Sequence, residues 1–302
     1  MNRRQFLKRY AATLALNFFP FNLLFAATPK SVVLEVLGTG EDSINTLFSS
    51  MGGIENFIIR DLSKTSVLIK PNLCLPHNAR MGTITSPEVV DGLCRFLVGM
   101  GVKKIIIADH TLQSSKDFRS IELMEVLARY PEVNLILANE QGLYNQAEVN
   151  GKVLKTTEAL KLLSQVDLFI NMATAKHHSA TKLSLAMKNL MGLIWNRTEF
   201  HTQLNLNLAI ADLALAIRPD INIIDASRVL LNRGPTGPGP VINENRLFAS
   251  LDILALDAVV TSRYKFGNKI LSARDVPHLL AAYQNGVGEI DAQNIQVKTI
   301  LT

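Results

Sequence analysis

The sequence is short of several residue types, and each shortage narrows what the chain can do. It has two cysteines in 302 residues, Cys74 and Cys94. An iron–sulfur cluster is normally held by four thiolates, so this chain cannot house one unaided. A disulfide between the two is one reading in an oxidising compartment and free buried thiols are the other, since spacing does not establish the geometry a disulfide needs. No basic run with interleaved aromatics occurs, which argues against nucleic-acid binding. The phosphate-loop spacing G-x-x-x-x-G-K-[ST] is absent, as are H-E-x-x-H and comparable metal-binding spacings. Internal repeats, low-complexity tracts and interdomain linkers are also lacking.

What remains is an ordinary globular composition, 48% hydrophobic and 19% charged. The net charge of +5 is mild, and Arg3, Arg4, Lys8 and Arg9 supply four positives, leaving the body nearly neutral. Asn2-Arg3-Arg4-Gln5-Phe6-Leu7-Lys8 closely resembles the twin-arginine export motif. The apolar stretch after it, Tyr10 to Ala27, is broken by Asn17, Pro20 and Asn22. It is marginal against the ~20 apolar residues that span a bilayer, and it reads as the middle region of a signal peptide over residues 1–27. Cleavage after Ala26 or Ala27 is expected, with an uncleaved membrane tether as the alternative. The expected location is periplasmic, and the export machinery is then a partner.

Residues 28–302 read as a single α/β domain. Apolar runs at 32–37, 66–70, 102–108, 133–138, 166–170, 221–224 and 295–300 predict strands. Helices are predicted near 43–51, 86–100, 116–130, 206–217, 252–264 and 276–286. Ser86-Pro87-Glu88 is a clear helix start, with a capping residue, proline in the first turn and an acid near the positive end. Asn150-Gly151 marks a small peripheral hairpin. This alternation predicts a mostly parallel sheet with helices on both faces.

The polar residues have a positional logic. Lys70 and Asn72, Asp109 and His110, the run from Asn171 to His178, and Asp225 each follow a predicted strand. In a parallel sheet such positions emerge on the one edge where α/β ligands bind. The stretch 166–201 is the centre of this arrangement. A helix is predicted through Leu183, Ala186, Met187, Leu190 and Met191, stopped by Gly192 in a left-handed cap. Taken alone, the stretch reads equally as a solvated loop before a surface helix, and the shared edge favours a site.

The residue types point to a small anion, a carboxylate or phosphate. Lys70, Lys176 and Lys188 would neutralise it, and Asn72 and Asn189 would orient it. His177 is the expected proton-transfer group, with Asp109 and Asp225 orienting it or holding a divalent cation. His177 and His178 point to opposite sides of an extended chain, so at most one faces the site. No cofactor or metal is identified by the pattern, although Asp109, His110, His177, His178, His201 and Asp225 are suitable ligand types. The loop Gly234-Pro235-Thr236-Gly237-Pro238-Gly239-Pro240 reads either as a rigid edge of the pocket or as loop punctuation, since its prolines remove amide donors. A non-catalytic binder, accessory to an exported redox partner protein, is the alternative to an enzyme.

Several stretches resemble the domain of unknown function 362 family. They are Val67-Leu68-Ile69-Lys70-Pro71-Asn72-Leu73, Thr85-Ser86-Pro87-Glu88-Val89-Val90 and, most specifically, Met187-Lys188-Asn189-Leu190-Met191-Gly192. Ile224-Asp225-Ala226, the Gly234-Pro235-Thr236-Gly237 turn and Leu254-Ala255-Leu256-Asp257-Ala258-Val259 complete the resemblance. Many members read Lys-Thr-His where this chain has Lys176-His177-His178. Many also carry a ferredoxin-like cysteine module, which this chain lacks, so the resemblance implies no iron–sulfur cluster here. It implies no activity either.

Overall fold

Alternate residues of the central strands are apolar on both sides, which requires a sheet covered on both faces. In the computed structural model, which describes residues 30–112 and 122–302, Val67, Ile69, Ile105, Ile107, Leu168 and Ile170 enter one core. Their neighbours Leu68, Ile106 and Phe169 enter the other. The signal peptide expected over residues 1–27 and the first residues of the helix expected at 116–130 lie outside the described residues.

The strands are Ser31–Leu37 (β1), Ser66–Pro71 (β2), Lys104–Asp109 (β3), Val133–Leu137 (β4), Tyr144–Glu148 (β5), Thr156–Leu160 (β6), Leu168–His178 (β7), Lys182–Ser184 (β8), Ile221–Leu230 (β9), Val241–Ser250 (β10) and Ile295–Leu301 (β11). The main sheet has the order β11-β1-β10-β9-β7-β2-β3-β4, with β8 paired to β7, and β5 and β6 form a separate ribbon. Neighbours from β9 through β7, β2 and β3 to β4 run parallel, as do β1 and β11, whereas β10 is antiparallel to both its neighbours. The architecture is α/β and mostly parallel.

Helices Glu41–Ser50 (α1), Pro87–Gly99 (α2) and Glu122–Leu127 (α3) cover one face. The short turns Ala186–Asn189 (α4) and Arg197–Thr202 (α5), with Leu206–Ala216 (α6), Ile253–Arg263 (α7) and Pro277–Gln284 (α8), cover the other. No helix among the described residues is long and apolar enough to cross a membrane.

Three departures from expectation matter for the site. The central strand does not end at Ile170. It continues to His178 and folds back on β8, pairing Lys176 with Ser184 and His178 with Lys182. The helix expected from 183 to 191 is replaced by β8, α4 and a 3-10 turn over Leu190–Leu193. Its apolar residues are buried together with Ser184, Lys188 and Asn189, so they belong to chain threaded through the core and form no amphipathic stripe. Strand β9 likewise runs on to Leu230, paired with β10, so Asp225 sits mid-strand. The pairing of β9 with β10 shifts register between Asn243 and Arg246, and those polar residues hide β10 from a hydrophobicity reading.

Candidate anion site

The carboxyl ends of β2, β3 and β7 border a cavity of about 760 Å³, and Lys70, Asn72, Asp109, Lys176, Lys188 and Asn189 all line it. Parallel pairing places Lys70 opposite Asn171 and Thr174 opposite Asp225, so the four expected loops do reach one end of the sheet. Two expected residues nevertheless fall outside the cavity. His177 points to the far side of β7, where its Nδ1 accepts the Gly234 N–H at 3.1 Å. Asp225 is buried beneath α2, accepting the Ser86 N–H at 2.7 Å and the Ser227 N–H at 2.8 Å. Its burial raises the carboxyl above the ordinary value, and its work is to anchor the start of α2. The Ser86 hydroxyl, expected to cap that helix, instead bonds Ser227 at 2.7 Å.

The floor of the cavity is a polar network with few atoms to spare. Lys70 Nζ forms an ion pair with Asp109 Oδ1 at 2.8 Å and donates to Pro71 O at 2.7 Å and Asn189 Oδ1 at 2.9 Å. An ammonium has three donors, so Lys70 is saturated. The other Asp109 oxygen accepts the Leu73 N–H at 2.6 Å. Burial pulls the Lys70 ammonium below its ordinary value, and the facing Asp109 carboxylate opposes that pull. Asn189 Nδ2 donates to Lys70 O and to Asn171 Oδ1, and Asn189 Oδ1 also accepts from Asn72. Both asparagines therefore hold the lysines in place. Lys176 Nζ donates to Asn72 Oδ1 at 3.1 Å and Thr83 O at 2.6 Å, leaving one donor, and burial lowers it to about 8.

Gly192 explains why the network can be so tight. A Cβ there would lie 2.6 Å from Lys70 Nζ and would overlap Asp109 Oδ1. Its glycine is needed for close approach, and the left-handed cap expected from the sequence is not what it supplies, since its φ is not positive. The preceding turn, α4, is fixed from below by Asp257, which accepts the Ala186 N–H at 2.8 Å and the Met187 N–H at 3.0 Å. Burial pushes the Asp257 carboxyl up to about 7.

Lys188, on that turn, differs from the other two lysines. It is 8% exposed, and among the described residues its hydrogen-bond acceptor is the Met191 thioether at 3.4 Å. A thioether is a weak acceptor. A buried ammonium costs several kcal/mol unless a counter-charge faces it. Burial first, and then the charges of Lys176 and Arg197, lower Lys188 to about 8.

The remaining walls add Arg197 and Trp195, which the sequence pattern did not single out for the site, to His110, His178 and Pro235, which it did. Arg197 donates to the carbonyls of His110 at 2.9 Å and Thr111 at 3.1 Å. Trp195 stacks on His110, with ring centres 5.1 Å apart. His110 Nδ1 donates to Ile194 O at 3.0 Å, leaving Nε2 as an acceptor, and burial lowers its pKa. His178, on the cavity side of β7, accepts the Ala180 N–H on Nδ1, so its neutral ring carries the proton on Nε2. Burial, reinforced by Lys188, drives it down to about 2. Pro235 brings the glycine-proline loop to the rim, as expected of a pocket edge. Both cysteines are free, Cys74 lining the cavity and Cys94 buried elsewhere. Among the described residues no three His, Cys, Asp or Glu side chains converge to hold a metal ion.

Among the described residues, four cations, Lys70, Lys176, Lys188 and Arg197, thus face a single lining carboxylate, Asp109, which is already committed to Lys70. The model of the domain of unknown function (DUF362) matches residues 67–262. The chain belongs to this family. The matched segment contains every cavity residue named above. Within the family's sequence block at 187–192, Lys188 faces the cavity, Asn189 braces Lys70 and Gly192 makes room for the ion pair.

A thylakoid-associated protein of Synechocystis sp. is 25% identical over 226 residues, spanning 72% of this chain and 68% of that protein. Among solved structures, the lactate racemase apoprotein of Thermoanaerobacterium thermosaccharolyticum aligns with 15% identity and a TM-score of 0.41. That alignment covers 73% of this chain and 54% of the racemase chain, so this chain matches about half of its length.

Proposed function

We propose that the protein binds a small anionic metabolite, a carboxylate or phosphate, in the cavity at the ends of β2, β3 and β7. Lys188 carries this reading. Its ammonium is buried against the cavity with a thioether for an acceptor, and a bound anion would offset the cost of that burial. At an effective dielectric near 20, one such contact at 4 Å is worth roughly 4 kcal/mol before desolvation of the anion. Lys176 and Arg197 add positive charge, and the Nε2–H of His178 adds a neutral donor. His110, with an open Nε2, takes the place of His177 as the candidate proton acceptor for an enzyme acting on that anion.

The reading includes export. The Arg3-Arg4-Gln5-Phe6-Leu7-Lys8 motif and the apolar stretch after it support a periplasmic protein delivered by the twin-arginine route. The thylakoid association of the Synechocystis relative is compatible with a site at or beyond a membrane. Mass spectrometry of small molecules released from protein purified out of its own periplasm tests both parts. The expected result is a stoichiometric anion in a periplasmic fraction, depleted in Lys188→Met. An anion content unchanged by that substitution would overturn the site, and cytoplasmic retention of the intact chain would overturn the route.

A further inference from the structure

The three lysines of the cavity have unequal chemistry. Lys70 spends all three donors on Asp109, Pro71 and Asn189. Lys176 spends two on Asn72 and Thr83. Lys188 has the Met191 thioether alone among the described residues. A lysine desolvated beside other cations loses its proton readily, and the neutral amine is a nucleophile. The same neighbours, Lys176 and Arg197, suit a carboxylate. A group that attacks carbonyl carbon therefore stands beside groups that hold an acid.

We propose that Lys188 is an amine nucleophile that forms an imine with the carbonyl group of a small oxo-acid whose carboxylate is held by Lys176 and Arg197. The proposal rests on the anion reading above and names the substrate class within it. The amine lone pair forms the C–N bond at the carbonyl carbon. The two amine hydrogens leave with the carbonyl oxygen as water, giving C=N, and no oxidant or reductant is consumed. His178, with its proton on Nε2, is a neutral donor for the departing oxygen. His110, with Nε2 open, is an acceptor for the amine proton.

The test uses the full chain with pyruvate as probe and cyanoborohydride to reduce any imine to a stable secondary amine, followed by peptide mapping. A carboxyethyl adduct is expected on Lys188. With its pKa lowered to about 8, against ~10.4 for a free lysine, its neutral fraction near pH 7 is raised about 200-fold. Its labelling should therefore exceed that of the exposed Lys265 at least ~10-fold, allowing for the lower basicity of the amine. Oxalate, which has no ketone or aldehyde carbonyl, should suppress the labelling. Lys188→Arg, which keeps the charge, should bind oxalate and take no adduct.

Oxalate binding with no adduct on Lys188, or an adduct placed on Lys176, overturns the imine and leaves the anion reading intact. Absence of both oxalate binding and adduct overturns the two together. Circular dichroism of the arginine variant confirms that it is folded, and an adduct that persists in a folded variant also overturns the proposal.

Discussion

Replacing Gly192 by alanine isolates the feature that makes the cavity floor possible. The backbone there tolerates a side chain, because its φ is not positive. The effect is therefore steric. The added methyl would sit 2.6 Å from Lys70 Nζ and overlap Asp109 Oδ1, in a pair that is itself only 2.8 Å long. Overpacking of a dense interior costs about 1–3 kcal/mol. Relief by pushing Asp109 aside would break the buried pair, at about 3–5 kcal/mol, and loosen the acceptor of the Leu73 N–H. We expect Gly192→Ala to lose about 3–5 kcal/mol, a large part of the 5–15 kcal/mol typical of a domain. Urea unfolding measures it, and Trp195, the single tryptophan in the chain, is a local reporter. A second arm repeats the substitution in an Asp109→Ala background, where the overlapping atom is gone and the added cost should fall to about 1 kcal/mol. A loss below about 1 kcal/mol in the native background, or equal losses in both, would refute the steric argument.

Two further outcomes follow from buried groups. The Asp257 carboxyl titrates at about 7 in the fold and near 3.9 when unfolded, so the native state binds the extra proton between those values. Its contribution to stability is full below ~4 and is lost as pH rises through about 7, by up to ~4 kcal/mol. Asp257→Asn should flatten that part of the stability–pH curve, and an unchanged curve would show that another group controls it. Burial pushes the Cys94 thiol up to about 12, while Cys74 is partly exposed in the cavity. A thiol reagent should therefore modify Cys74 in native protein and both cysteines after denaturation, and no reaction at Cys74 would contradict an open cavity.

The sheet was legible because its strands are buried on both faces and interrupted by helix starts as clear as Ser86-Pro87-Glu88. Lys70 and Lys176 were legible for the same reason, since they follow apolar runs whose carboxyl ends share an edge, whereas Lys188 was read from the block at 187–192. What the pattern hid was where strands continue past their apolar part. Asn171 and Thr174 end the hydrophobic run, yet β7 carries them inside the protein, where Asn171 bonds Asn222 and Ala186. With the strand prolonged, the two-residue period puts Lys176 and His178 on one side and His177 on the other. Asp225 was misplaced in the same way, because β9 extends past it to pair with β10. Arg197 and Trp195 had only their nearness to the Lys188 block as a signal. Asp257 lies 71 residues from the amide it caps, a distance that no local pattern spans.

The most direct measurement is a calorimetric titration of oxalate into the full chain, repeated with Lys188→Met and over a rising series of pH values. Because Lys188 must be protonated to attract the anion and titrates at about 8, affinity should hold near neutral pH. Above about 8 it should weaken roughly tenfold per pH unit, and the methionine variant should bind at least tenfold more weakly near neutral pH, the difference closing as Lys188 loses its proton. Affinity that ignores both the pH and the substitution, or no binding at all, would contradict the account.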